Sequence, residues 1–78
     1  MSAFFTEESP ITLVQANAVT SHYKNAAVED LQPAGHFRIV IRDHRFDDKR
    51  MMWRYWNFEP GAVAELNLRL KEDGIKAD

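Results

Sequence analysis

The sequence predicts an α+β domain of order α-β-β-β-α, a three-stranded antiparallel meander with two helices packed on one face. Three observations predict it. Thr12 followed by Gln15 forms a capping box at the head of an apolar stripe with helical spacing. Phe37–Arg42 and Met51–Phe58 read as strands, the first by alternation and the second by its aromatic content. Pro60-Gly61 then precedes a second helical stripe. Connections this short favour neighbouring, antiparallel strands with the helices gathered on one side.

Residues 1–10 are polar or unpatterned and are expected to form a disordered N-terminal segment, although Phe4-Phe5 could tuck against the body. The single domain is expected over 11–76. Pro10 ends what precedes it, and Leu13, Ala16, Val19 and Tyr23 give a helix of about three turns, with Asn25 suited to its exit. Ala26 and Val28 alternate with Ala27 and Glu29 as a short strand, and Asp30–Gly35 supplies turn residues. In the next strand Phe37, Ile39 and Ile41 share one face, and Arg38, Val40 and Arg42 the other. Asp43–Arg50 is a polar hairpin loop. In the second helix Val63, Leu66 and Leu70 form the stripe; Pro60 falls near the first helical position. Gly74 stands where a left-handed cap is wanted, with Ile75 placed to pack back on Leu70.

Strand 51–58 is ambiguous because both of its faces are largely apolar. The favoured assignment sets Met52, Trp56 and Phe58 against the helices, with Arg54 reaching an edge. Trp53 and Tyr55 then lie beside Arg38, Val40 and Arg42 on the open face. A one-residue slip reverses that assignment.

Size and composition narrow the function. Seventy-eight residues make one core and bury roughly 60% of the unfolded surface, so stability is thin. There is no cysteine, hence no disulfide and no thiolate site. The apolar fraction of 45% is too high for a disordered chain. No basic stretch leads into a long apolar run and no 18-residue apolar span occurs, so no membrane segment is expected and the cytoplasm is the default compartment. Glycines 35, 61 and 74 are isolated, and Ser21-His22 face different directions on a helix; no phosphate loop or nucleophile–base pair exists, and no enzyme and no cofactor are expected. His36 and His44 would stand about 26 Å apart at about 3.3 Å per extended residue, too far to share an ion. The Asp43-His44 and Asp47-Asp48 pairs fit no zinc or calcium spacing, and no metal is expected.

The net charge of −2 is uneven. His36–Arg54 holds six basic and three acidic residues, a net +3 that leaves −5 for the rest. Arg38, Arg42, Arg50, Trp53, Arg54 and Tyr55 therefore form a candidate interaction surface, joined by Leu68, which lies off the stripe of the second helix on the side of Ala64. Three readings stand. The rings cover the arginine stems and bind nothing. The face, or the Leu68 side, meets a protein partner or a second copy. Or the arginines and Trp53 hold single-stranded nucleic acid, by phosphate contacts and stacking. The preferred reading is a non-enzymatic interaction domain, with weak nucleic-acid binding as the alternative.

Gln15-Ala16, Tyr23-Lys24-Asn25, His36-Phe37-Arg38, Met52-Trp53-Arg54 and Trp56-Asn57-Phe58-Glu59-Pro60-Gly61-Ala62 together resemble the YkfF-like family, short bacterial proteins of plasmids and prophage-like islands. The similarity runs from about Ile11 to Ile75, and the Trp-Asn-Phe-Glu-Pro-Gly run is its most specific part. It implies a cytoplasmic α+β domain of mobile-element origin and carries no functional residues over. The Asp43–Arg50 tip departs from the family in its length and its lack of glycine.

Overall fold

Thr12 opens the first helix as the sequence predicts. Its hydroxyl accepts the Gln15 N–H at 3.2 Å while its own N–H donates to Gln15 Oε1 at 2.9 Å. This computed structural model describes residues 4–6, 10–43, 45 and 50–77. The order is α1 (Leu13–Thr20), β1 (Ala26–Glu29), β2 (Arg38–Arg42), β3 (Met51–Trp56) and α2 (Ala62–Asp73). The sheet runs β1-β2-β3 with both pairs antiparallel, so the chain is the expected α+β meander.

One buried cluster joins Ala16 and Val19 of α1, Leu66 and Leu70 of α2, and Phe37, Ile39 and Ile41. Both helices therefore cover the same face of the sheet. Each fully buried Ile or Leu there contributes about 1.5–3 kcal/mol, a large share of a small domain's margin.

Helix α1 is shorter than its stripe suggested. Thr20 and Ser21 turn their hydroxyls back onto Ala16 O at 2.8 Å and Ala18 O at 2.7 Å, a local alternative that suits a helix end. Leu13 is left 38% exposed, and Ile11, ahead of the helix, takes the core position with its N–H on Asn57 O at 2.9 Å. Tyr23 is buried beyond the helix, in a bridge with Lys76.

The disordered segment expected at 1–10 does not describe Phe5. Its side chain lies in the core, and its backbone is held by both ends of the Asn67 amide, at 2.8 and 2.9 Å. Residues 1–3 and 7–9 lie outside the described residues.

The face assignment of β3 is reversed. Arg42 opposes Met51, but Trp53 opposes Ile41 and Tyr55 opposes Ile39, because the register shifts between Ile41 and Arg42. Carried onward without that bulge, the hairpin would set Met52 opposite Ile41 and Trp56 opposite Phe37. One inserted residue swaps the faces. Trp53 and Tyr55 therefore pack on the core under α2, and Trp56 points out.

The second helix differs from expectation at both ends. Gly61, in the left-handed region at φ 77°, is the N-cap, and Pro60 precedes it rather than starting the helix. Gly74 is extended, at φ −70° and ψ 137°, and not a left-handed cap. Glycine is needed there for space: a Cβ would meet Leu70 O and stand 2.7 Å from the Tyr23 ring. Ile75 is exposed instead of packing on Leu70. Its N–H donates to Asn25 Oδ1 at 2.9 Å, and the Asn25 amide also donates to Arg42 O and Asp73 O at 3.0 and 2.9 Å. Asn25 thus ties the end of α2 to the sheet.

Candidate functional site

The face of the sheet away from the helices is built by alternation. Ile39 and Ile41 turn to the core, so Arg38, Val40 and Arg42 turn outward. Across the ladder Ala27 opposes Val40 and Glu29 opposes Arg38 on one side, while Arg54 opposes Val40 and Trp56 opposes Arg38 on the other.

Ion pairs organise the β1 side of this face. Arg42 grips Glu29 with Nη2 at 2.8 and 2.7 Å and Nε at 3.2 Å, reaching along the strand past Val40. Arg38 pairs with Asp30, whose backbone is left-handed at φ 56°. Val40 is 0% exposed although it stands outside the helix-covered core, as expected where long arginine stems lie over a small apolar side chain.

Rings organise the β3 side. The Arg38 guanidinium lies 5.7 Å from the centroid of Trp56. Trp56 stacks on Phe58 at 5.8 Å and 26°, and Phe58 meets His36 at 4.6 Å and 49°. Phe58 is 48% exposed, so the row ends in solvent. Arg54 is exposed, touching Met51 Sδ at 4.0 Å, with no carboxylate among the described residues in ion-pair range.

The predicted surface is therefore only partly brought together. Arg38, Arg42 and Arg54 share the outer face. Arg50 stands exposed at the hairpin end of β3, where its carbonyl accepts the Asp43 N–H at 2.8 Å. Trp53 and Tyr55 are on the opposite face, and Leu68 is 43% exposed on α2, away from the sheet. Sequence reasoning missed Trp56, Phe58, His36, Glu29 and Asp30 as one surface. The signal that finds them is the ladder itself, because whatever opposes Arg38 must share its face.

No other arrangement among the described residues competes. Among the described residues no three His, Asp or Glu side chains are grouped to hold a metal, and no helix is long and apolar enough to cross a membrane. His44, Asp47 and Asp48 lie outside the described residues. A cleft of about 330 Å³ opens between the end of α2 and the hairpin, and two of its carboxylates, Asp43 and Asp73, are already engaged. Asp43 is held by Arg45 at 2.7 Å and Asp73 by the Trp53 indole N–H at 2.9 Å.

Residues 6–77 match the model of a family described as bacterial protein of unknown function, DUF905. The chain is 54% identical to UPF0401 protein YubL of Salmonella typhi over 77 residues, covering 99% of both chains. It is 48% identical to UPF0401 protein YkfF of Escherichia coli K12 over 69 residues, covering 88% of this chain and 82% of that one. The YkfF-like resemblance read from the sequence therefore holds. No solved structure matches the chain.

Proposed function

Because the chain belongs to the DUF905 family of bacterial proteins of unknown function, its role has to be read from its own surface, and we propose that it is a non-enzymatic protein-interaction module. The outer sheet face is its contact surface. The observation that carries this is the row Trp56–Phe58–His36, stacked beside Arg38 and Arg54 on the face that neither helix covers. Aromatic and arginine side chains set round an apolar centre are the composition of contact hot spots.

A photo-crosslinking side chain at position 58 tests it in cells, with the same side chain at Val14, 78% exposed on α1, as control. Protein adducts that form at 58 and not at 14 support the reading. Adducts equal at both positions, or none at 58, exclude it.

The same ring row favours a second reading, stacking of single-stranded nucleic acid beside arginines. Against it, Arg38 and Arg42 already hold Asp30 and Glu29, which leaves fewer cations for phosphates. Adducts at 58 that nuclease removes, with salt-sensitive affinity, would select this alternative.

A further inference from the structure

We infer that the occupant of the outer face is a second copy of this chain, packed sheet on sheet about a two-fold axis that runs along the strands near Val40; this rests on the reading above.

The ladder supplies the geometry. Ala27, Val40 and Arg54 form one row straight across the sheet, with Val40 at its centre. A two-fold axis along the strands lays Val40 over Val40 of the copy and exchanges the sheet edges. Arg54 of each chain then stands over Ala27 of the other. Ala27 is exposed and its methyl group leaves room for a long side chain. Glu29 follows two residues along the same edge and the same face, its carboxylate held in place by Arg42.

Distances and charge agree with this arrangement. Two strands away in its own sheet, β1 lies about 10 Å from Arg54, and the guanidinium has no carboxylate there within ion-pair range. Facing sheets also pack about 10 Å apart, a gap that side chains projecting from both faces fill. The axis also lays Arg38 over Arg38 and Arg42 over Arg42 of the copy, but Asp30 and Glu29 already neutralise these guanidinium groups within each chain. The charge left to complement is that of Arg54, which the exchange brings to the edge that carries Glu29. The exchange also turns Trp56 toward the β1 edge of the copy, covering the ring row that otherwise ends in solvent.

Sedimentation equilibrium on the full chain, from micromolar to millimolar concentration, tests the arrangement. The wild type is expected to dimerise. Arg54→Glu and Ala27→Arg, both at exposed positions, are each expected to weaken association by about 100-fold while the circular dichroism stays unchanged. Mixed in equal amounts, the two variants are expected to pair with each other, since Glu at 54 of one chain then faces Arg at 27 of the other. A wild type that stays monomeric throughout overturns the second copy, and so does a dimer that neither substitution weakens. Where a monomeric chain still gives protein adducts at position 58, the outer face stands and only its occupant was wrong. Where no adduct forms at 58 either, the contact surface falls with it.

Discussion

The Arg69 guanidinium lies 3.7 Å from the centroid of the Trp53 ring, and its Nε donates to the Tyr55 hydroxyl at 3.5 Å. With the Trp53 indole N–H on Asp73 Oδ2 at 2.9 Å, one face of α2 holds both inward rings of β3. The inward and outward tryptophans of one strand should therefore differ in what they do. Trp53→Ala is expected to cost about 2–3 kcal/mol, the loss of a half-buried ring and its contacts. Trp56→Ala is expected to cost about 1 kcal/mol or less. Denaturant midpoints of the two variants decide, and equal costs would contradict the packing described.

Asn57 is the knot of the fold's other end. Its amide donates to Ile11 O at 3.0 Å and Gly35 O at 3.1 Å, and its Oδ1 accepts the Phe37 N–H at 3.1 Å. These bonds tie the approach to α1, the β1–β2 turn and the exit of β3 together in a buried site. Asn57→Ala leaves three backbone groups without that partner, for an expected loss of about 3 kcal/mol or more. The neighbouring Phe58→Ser should cost far less, and similar urea midpoints for the two would refute the role given to the amide.

What the sequence made legible was local. The Thr12–Gln15 box, the Phe37/Ile39/Ile41 alternation and the Val63/Leu66/Leu70 stripe each lie within a few residues, and each is present. What it hid was set by distant contacts. Phe5 is ordered by Asn67, 62 residues on. The face of β3 depends on a single bulge opposite Ile41 and Arg42, which nothing in Met51–Phe58 signals. That bulge also decides the site. The sequence sets Trp53 and Tyr55 beside Arg38 and Arg42 and sends Arg54 to an edge, whereas the ladder turns Arg54 and Trp56 onto the face of Arg38 and Arg42, and Trp53 and Tyr55 onto the core.

Gly74 illustrates a glycine kept for space rather than for its dihedral angles. At φ −70° an alanine would be unstrained, so a purely conformational role predicts a neutral or stabilising Gly74→Ala. The close approach of Leu70 O and of the Tyr23 ring at 2.7 Å predicts the opposite, a loss of about 1–3 kcal/mol. In a double-mutant cycle, Tyr23→Leu should recover part of that loss, because it removes the ring and leaves the carbonyl. Additive effects would mean that the ring is not what the methyl group meets.

Acid should weaken the hairpin through Asp43. The Arg45 side chain, and after it the Arg45 backbone N–H, hold this carboxyl down from 3.8 to about 2. A carboxyl that binds its proton less tightly when folded contributes stability above its ordinary range and loses it as pH falls through the folded value. Wild type and Asp43→Asn are therefore expected to converge as pH drops from about 5 to about 2, with the wild type showing the steeper decline. Urea midpoints across that range measure the gap between them. A gap that stays constant with pH would show that Arg45 does not hold Asp43 ionised in the folded chain.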